Sequence, residues 1–244
     1  MNVSGKIAII TGAGGGGQGR ALALRLAREG ATAVISDIDA DGGNETVRRI
    51  EAIGGRSAFF RADVSIESDV RHLIQFAETA FGGLDILVNN AGPYIPGDKL
   101  QNWDLTIRAN LFGPIWATLA AIEPMRKRGG GAIINFSSIA WMGGAPKLSV
   151  YATAKAGVIG LTNSLAREFG GDNIRVNAIA PGAVVTERQK KLWLSEADIK
   201  AFVSRQCIGR VLVSEDVARL ALFLAADDSQ MISKQCLVID GGLR

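Results

Sequence analysis

Short apolar runs alternate with amphipathic stretches along the whole chain. The runs that have the length and composition of β-strands cover residues 7–10, 32–36, 57–61, 84–88, 132–136, 175–179 and 236–239. The stretches with helical periodicity cover residues 19–29, 41–52, 66–81, 100–127, 151–169 and 215–225. Several of the strand runs are apolar throughout, which indicates that helices cover both faces of the sheet.

This alternation predicts an α/β fold built from βαβ units. We expect a single doubly wound, Rossmann-like domain over residues 1–244, with about seven parallel strands and helices on both faces. No shift of composition that would mark a linker divides the chain. Of the 244 residues, 48% are hydrophobic and 21% are charged, so the chain can bury one large core.

The composition argues against several classes of function. The chain has too few cysteines and histidines for a disulfide framework or a zinc site: Cys207, Cys236 and His72. A Ser-His-Asp triad would have to use His72, so we do not expect hydrolase chemistry. The net charge is only +3, and the densest basic run, residues 126–128, falls at a predicted helix end, where cations are favourable. We therefore expect no metal and no nucleic-acid partner.

Two further patterns bear on location. No apolar run reaches 18 residues, so we expect no membrane partner. The first residues lead directly into a strand and show no signal-peptide pattern. Together with the small number of cysteines, this makes a cytoplasmic protein the expectation.

A glycine-rich segment, residues 11–19 with the sequence TGAGGGGQG, follows the first predicted strand and opens the first predicted helix. Glycines in this position permit a tight turn and the close approach of a pyrophosphate. The helix N-terminus then offers free N–H groups and a positive dipole end to the anion. The context of strand, loop and helix therefore favours a dinucleotide site over a merely flexible loop.

An acidic residue, Asp37, directly follows the second predicted strand. A carboxylate at this place accepts both hydrogen bonds of an adenosine ribose and repels a 2′-phosphate. The next residue, Ile38, supplies no compensating cation. The pattern therefore favours NAD over NADP as the cofactor.

Tyr151 and Lys155 stand four residues apart in a predicted helix, so their side chains share one face. An isolated tyrosine has a pKa of about 10 and is a poor base at neutral pH. A neighbouring ammonium favours the phenolate and lowers that pKa. Such a pair can exchange a proton with a hydroxyl or carbonyl oxygen, although alone it is more often structural.

In combination, these features resemble the short-chain dehydrogenase/reductase superfamily over essentially the whole chain. The resemblance is carried by residues 11–19, Asp37, Asp63, Val64, the run 89–92, Asn110, Ser138, Tyr151, Lys155, Pro181, Gly182, Thr186 and the run 240–242, all in the family's order and close to its spacings.

The resemblance implies four catalytic roles. Tyr151 is the proton donor or acceptor, and Lys155 lowers the pKa of that tyrosine and holds the nicotinamide ribose. Ser138 binds the reacting oxygen, and Asn110 anchors a water that links Lys155 to solvent.

It also implies a cofactor cleft. The phosphate loop contributes Gly12, Gly17, Gln18 and Gly19, and Asp37 and Ile38 flank the adenosine ribose. Other residues frame the adenine, line the cleft or hold the nicotinamide end: Asp63, Val64, Asn90, Ala91, Gly92, Pro181, Gly182, Val184 and Thr186.

The chain departs from the family pattern in three places. Four residues instead of three separate Gly12 from Gly17, and Gln18 stands where an apolar residue is usual. The segment from residue 92 to residue 110 is shorter than usual, which cuts back one rim of the substrate pocket. Lys234 stands where a glycine is common.

The substrate pocket is expected to include a loop at about residues 187–210 and the side chains of Tyr94, Ser138, Trp141, Arg188 and Gln189. Aromatic faces together with hydrogen-bonding groups suit a compact polyol or sugar better than a long acyl chain. The stretches 135–141, 186–190 and 206–210 also resemble, more loosely, the sugar 1-dehydrogenases of the superfamily. Packing roles for the aromatic residues remain an alternative.

The leading interpretation is an NAD-dependent oxidoreductase that transfers a hydride between NAD(H) and a secondary alcohol or carbonyl, with an aldose or polyol as candidate substrate. The alternative is a 3-oxoacyl-thioester reductase or another small-ketone reductase. A 3-oxoacyl-thioester reductase would favour NADPH and would need a basic patch for the acyl carrier, and neither feature is clear in the sequence. A non-catalytic NAD-binding protein is the remote alternative, because Ser138, Tyr151 and Lys155 are all present. The resemblance also suggests a homotetramer or homodimer.

Overall fold

A computed structural model describes residues 1–93, 101–144, 146–192 and 194–244. Its strands are β1 (Ile7–Thr11), β2 (Thr32–Asp37), β3 (Ser57–Arg61), β4 (Ile86–Asn89), β5 (Gly131–Phe136), β6 (Ile174–Pro181) and β7 (Cys236–Ile239). Its α-helices are α1 (Gln18–Arg28), α2 (Ala40–Glu51), α3 (Glu67–Phe81), α4 (Gln101–Ile107), α5 (Gly113–Lys127), α6 (Ala140–Gly143), α7 (Ser149–Phe169), α8 (Glu187–Leu192), α9 (Glu196–Arg205) and α10 (Ser214–Ala225). A π-helical turn, Arg108–Phe112, joins α4 to α5.

The strands form one parallel sheet in the order β3-β2-β1-β4-β5-β6-β7. Ile9 in β1 pairs in register with Val34 of β2 on one side and with Leu87 of β4 on the other. The strand order therefore reverses between β1 and β4, and the carboxyl ends of these two strands open the crevice where such sheets bind ligands. The doubly wound fold with seven parallel strands is confirmed.

Apolar side chains cover the sheet on both faces because successive residues of a strand point in opposite directions. Ile10 belongs to the cluster that α1 and α10 cover, where Leu22 and Leu222 are fully buried. Ile9 belongs to the opposite cluster, which includes Leu73 of α3 and Met125 of α5. The two layers of helices fix the sheet rigidly, so the ends of its strands can hold functional residues in place.

The helix predicted over residues 100–127 contains an interruption at the π-helical turn. By length and composition alone, the stretch Asn102–Lys127 is long and apolar enough to cross a membrane. Half of its most apolar window is buried inside the protein, and its C-terminal part, α5, packs against α3. Core helices commonly pass the same test.

The segment expected as a substrate loop, residues 187–210, instead contains the two helices α8 and α9. The start of α9 is a capping box: Ser195 Oγ accepts a hydrogen bond from the Asp198 N–H, and Asp198 Oδ2 accepts one from the Ser195 N–H. Reciprocal bonding of this kind satisfies N–H groups that a helix start otherwise leaves unpaired.

The basic run at the end of α5 is paired with acids. Arg126, Lys127 and Arg128 form ion pairs with Asp172, Glu78 and Asp85, respectively. The positive charges of this run are therefore paired with carboxylates of the protein itself.

Candidate active site and cofactor cleft

The glycine loop turns sharply between β1 and α1. Gly12 has φ +69°, and a Cβ on it would lie 2.8 Å from the Cα of Ala91. A Cβ on Gly19 would collide with the carbonyl oxygen of Gly12. Both positions therefore require glycine, and the loop leaves its backbone open to a pyrophosphate at the N-terminus of α1.

The additional loop residue is accommodated by bonds to neighbouring elements. Gly14 donates its N–H to Asp37 Oδ2 at 2.8 Å, and its carbonyl accepts a hydrogen bond from Arg20 Nη2 at 2.7 Å. Arg20 Nε donates to Thr46 Oγ1 at 2.8 Å, and this hydroxyl donates to the carbonyl of Ala13. Arg20 and Thr46 were missed by the sequence analysis, although Arg20 directly follows the last glycine of the motif.

Asp37 is half-buried at the carboxyl end of β2, where both of its oxygens accept backbone hydrogen bonds. Oδ2 accepts from Gly14, and Oδ1 accepts from the N–H of Asp39 at 3.1 Å. The carboxylate is therefore held in one orientation and keeps further acceptor capacity for ribose hydroxyls. The side chain of Ile38 is exposed and brings no charge.

The residues expected beside the adenine lie just after β3. The Asp63 carboxylate accepts hydrogen bonds from both the N–H and the hydroxyl of Ser65. The backbone of Val64 lies against Gly113, where a Cβ would come within 2.6 Å of the Val64 carbonyl oxygen. This contact fixes the segment after β3 against the start of α5.

The carboxyl ends of β1 and β4 are tied together at the crevice. Thr11 Oγ1 accepts hydrogen bonds from the N–H groups of Asn90 and Ala91 at 3.1 and 3.0 Å. Asn90 Nδ2 donates to the carbonyl of Thr11, and Asn90 Oδ1 accepts from Gln18 Nε2 at 3.0 Å. Gln18, unusual for the family, therefore orients Asn90 from the first turn of α1.

Lys155 is buried beneath Tyr151 on α7. Its Nζ donates to the carbonyl of Phe136 at 2.8 Å and lies 5.6 Å from the centre of the Tyr151 ring. Burial lowers the pKa of Lys155 to about 8, because a low-dielectric environment disfavours the ammonium. The structure thus brings a cation and a phenol together, as the spacing predicted.

Asn110 lies in the π-helical turn, an irregularity that often marks functional sites. Its Nδ2 donates to the carbonyls of Pro93 and Thr106. Its Oδ1 is buried and has no hydrogen-bond partner among the residues that the structure describes. A Cβ on Gly92 would collide with this oxygen and lie 3.2 Å from Lys155 Nζ, so Asn110 and Lys155 face each other across Gly92.

Ser138 lies two residues after the end of β5. Its Oγ accepts a hydrogen bond from the N–H of Ala140 at 3.2 Å. Three residues further on, the half-buried Trp141 donates its indole N–H to Ser137 Oγ at 3.2 Å. The expected aromatic wall therefore lies on the short helix α6, and the expected catalytic serine lies in the segment just before it.

Where the nicotinamide end of the cofactor is expected, Pro181 ends β6 and the N–H of Gly182 donates to the carbonyl of Ile239. Val184 forms a bridge to Leu212. Thr186 Oγ1 lies 3.3 Å from Gln189 Oε1, so the amide of Gln189 is engaged at the start of α8.

All the expected substrate contacts stay predictions, and two of them are not fully within the described residues. Tyr94 lies outside the described residues. Arg188 lies in α8, but the structure does not describe its side chain. Among the described residues, no group of three His, Cys, Asp or Glu side chains is placed to hold a metal ion.

Comparison with known proteins decides the family. A family model described as "Enoyl-(Acyl carrier protein) reductase" matches residues 12–244. The chain is 41% identical over 240 residues to a probable galactose dehydrogenase of Rhizobium meliloti, covering 96% of this chain and 93% of the relative. It is 40% identical over 252 residues to the D-xylose 1-dehydrogenase of Caulobacter vibrioides, covering 100% and 97%. The chain belongs to the short-chain dehydrogenase/reductase superfamily.

A solved structure supports the same assignment. A 7α-hydroxysteroid dehydrogenase in complex with NADH and 7-oxo glycochenodeoxycholic acid superposes with a TM-score of 0.94 at 35% identity, covering 99% of this chain and 95% of that one. This short-chain dehydrogenase/reductase is therefore an oxidoreductase, and the crevice between β1 and β4 is its candidate cofactor cleft.

Proposed function

We propose that the protein is an NAD-dependent dehydrogenase that oxidises a sugar or polyol hydroxyl, or reduces the corresponding carbonyl. The observation that carries the reaction class is the buried ammonium of Lys155, 5.6 Å from the Tyr151 ring. It faces Asn110 Oδ1, which has no hydrogen-bond partner within the described part of the chain. A buried cation beside a phenol is costly to maintain and is typical of a site that holds or moves a proton.

The residues present fit a nicotinamide dinucleotide. Glycines 12 and 19 keep the phosphate loop free of side chains, and Asp37 presents an oriented carboxylate where the adenosine ribose would lie. When bound, the nicotinamide ring supplies or accepts the hydride.

Each catalytic side chain then has one task. Ser138 Oγ binds the reacting oxygen and orients it. In the oxidative direction, the Tyr151 phenolate takes the proton of the substrate hydroxyl while the carbon gives up its hydride; in the reductive direction, the phenol returns a proton to the carbonyl oxygen. The ammonium of Lys155 stabilises the phenolate and binds the nicotinamide ribose, and Asn110 Oδ1 accepts a hydrogen bond from a water that connects Lys155 to solvent.

NAD is the proposed cofactor because of Asp37. A 2′-phosphate carries about two negative charges, and these would be repelled by the half-buried carboxylate of Asp37. The NADH complex of the superposable 7α-hydroxysteroid dehydrogenase supports the same choice.

An aldose or polyol is the proposed substrate class. Two relatives at about 40% identity are named for D-xylose and, as probable, for galactose. Trp141 is half-buried on α6 beside Ser138, so part of its ring is available to border a sugar. Arg188 and Gln189 of α8 and Tyr94 would complete the wall. A lactol that binds with its reacting hydroxyl between Ser138 and Tyr151 would be oxidised to a lactone.

A 3-oxoacyl-thioester reductase is the second candidate, and a relative from Thermotoga maritima named as a 3-oxoacyl-[acyl-carrier-protein] reductase, 37% identical over 249 residues, favours it. It requires a long acyl chain in the pocket and would be expected to favour NADPH.

Absorbance at the reduced-nicotinamide band separates these candidates. Aldoses, polyols, aliphatic and aromatic ketones and a 3-oxoacyl thioester are offered with each cofactor in both directions. The proposal expects turnover of at least one aldose or polyol with NAD. Turnover of ketones or the thioester alone would contradict the sugar assignment and leave only the alcohol–carbonyl chemistry.

A homotetramer or homodimer is part of the same proposal. Trp103, Leu105, Phe112 and Leu119 are exposed apolar side chains along α4, the π-helical turn and α5. Burial of such side chains against a second copy is favourable. A monomeric mass in light scattering at micromolar concentration would refute this assembly. A cytoplasmic location, in keeping with the free thiols of Cys207 and Cys236, is tested by cell fractionation.

A further inference from the structure

Two hydrogen bonds join Trp141 to Lys155, and a third ties the side chain of Lys155 to the end of β5. The indole Nε1 of Trp141 donates to Ser137 Oγ at 3.2 Å, and Ser137 Oγ donates to the carbonyl of Lys155 at 2.7 Å. The side chain of Lys155 then returns to the same strand end, because its Nζ donates to the carbonyl of Phe136 at 2.8 Å. The ring of contacts links β5, α6 and α7.

The direction of these bonds follows from the groups involved. An indole N–H only donates, and a serine hydroxyl has one hydrogen but two acceptor lone pairs. Because the Ser137 hydroxyl gives its hydrogen to the Lys155 carbonyl, its oxygen is left to accept from Trp141. Ser137 is 3% exposed and Lys155 is 4% exposed, so water does not compete effectively for these bonds.

These hydrogen bonds connect the two segments that carry the proposed catalytic residues. Trp141 lies on α6, whose first residue, Ala140, donates its N–H to the hydroxyl of Ser138. Lys155 lies on α7 one turn after Tyr151. A bond from Trp141 through Ser137 to Lys155 therefore connects the segment that carries the serine with the helix that carries the tyrosine and the lysine.

We propose that Trp141 is a positioning residue of the active site. Through Ser137 it holds the backbone of Lys155 against the end of β5, and so sets the distance from the ammonium to the Tyr151 ring and to the cofactor cleft. This role rests on the proposed dehydrogenase function and adds to it, because the wall role of Trp141 needs only its ring, whereas the positioning role needs its N–H.

Replacing Trp141 by phenylalanine separates the two roles. Trp141→Phe keeps an aromatic face and removes the N–H, and Ser137→Ala breaks the same chain at its middle. We expect each variant to lower kcat about tenfold, with less than about a twofold change in KM for the best substrate, because small displacements of a catalytic group reduce rate more than binding. The pH profile of kcat in the oxidative direction should shift to higher pH, because a displaced ammonium stabilises the phenolate less.

Further variants exclude a general packing effect. Ser137→Thr keeps the hydroxyl and should restore most of kcat. Trp116→Phe makes the same change at a half-buried tryptophan whose ring packs on Phe112 and which takes no part in the Trp141–Ser137–Lys155 chain, so it should leave kcat and its pH profile unchanged. The double variant Trp141→Phe with Ser137→Ala should be no worse than the poorer single variant, because both break one chain.

Titration of NADH binding supplies a readout that does not need a known substrate. Trp141→Phe and Ser137→Ala should each weaken NADH binding about threefold, while Trp116→Phe should not. Unchanged kcat and NADH affinity in both site variants, or additive losses in the double variant, would overturn the positioning role. Absence of turnover in the wild type with the binding differences intact would instead contradict the proposed substrate class and leave the positioning role standing.

Discussion

Asp37 offers the most direct test of cofactor choice, because its carboxylate is oriented by two backbone N–H groups. Asp37→Asn removes the charge and keeps an oxygen that can still accept from Gly14. Asp37→Ala with Ile38→Arg removes both acceptors and adds a cation. Asp37→Asn therefore tests the effect of the negative charge alone, and the double variant replaces that negative charge with a positive one.

The magnitude follows from the charge and the position of Asp37. Two unit charges 4 Å apart interact by about 1 kcal/mol in water and about 4 kcal/mol at the dielectric typical of a protein surface. Asp37 is half-buried and a 2′-phosphate carries about two charges, so the repulsion reaches at least about 1.4 kcal/mol, or a tenfold preference for NAD. The ribose hydrogen bonds add to this preference, since a bond to a charged acceptor contributes about 1.5–3 kcal/mol.

The assay compares kcat/KM for NAD and NADP and measures the dissociation constant of each reduced cofactor by fluorescence. We expect the wild type to prefer NAD at least tenfold, Asp37→Asn to lose most of that preference, and the double variant to prefer NADP. Asp41→Ala, which removes an exposed carboxylate from the first turn of α2, is the matched control and should keep the wild-type ratio. Equal use of both cofactors by the wild type would show that the reasoning is wrong.

Three further variants test the catalytic group and the backbone. Tyr151→Phe should retain cofactor binding and lower turnover at least about 10²-fold, the scale of a lost general acid or base, and retained turnover would contradict the assignment. Lys155→Met should abolish turnover and weaken cofactor binding, yet stabilise the unliganded protein at pH 7 by about 1 kcal/mol or more in urea unfolding, because burial of the ammonium is costly. The unfolded chain binds more protons than the native one between pH 8 and 10.5, so wild-type stability should rise across this range and that of Lys155→Met should not. Lys234→Gly should raise the unfolding free energy by about 0.5–1 kcal/mol, because Lys234 has φ +66°, and unchanged stability would contradict that reading.

The fold and the proximity of Tyr151 to Lys155 were accessible from the sequence because their signals are local. Apolar runs and helical periods report the strands and helices directly, and the doubly wound order follows from their alternation. Tyr151 and Lys155 share a helix, so their spacing alone predicts that they face the same way, and the structure places them together.

Other features depend on contacts between distant parts of the chain. The hydroxyl of Thr46 reaches the glycine loop only because α1 and α2 pack side by side. The π-helical turn at Asn110 is invisible in a periodicity that continues through residues 100–127. Trp141 was predicted as a wall of the pocket, whereas its N–H bond to Ser137 depends on how α6 folds back onto β5.

The longer phosphate loop illustrates why spacing alone was insufficient there. By the family pattern, the additional residue leaves open which N–H groups meet a pyrophosphate. In the structure, the residue at position 14 has both backbone groups bonded, its N–H to Asp37 and its carbonyl to Arg20. Glycine loses more conformational entropy than any other residue when it is ordered, so a run of four glycines without such anchors would bind a cofactor at a higher entropic cost. The same bonds that order the loop also orient the carboxylate that we propose selects the cofactor, so the proposal couples loop length to cofactor choice through Gly14.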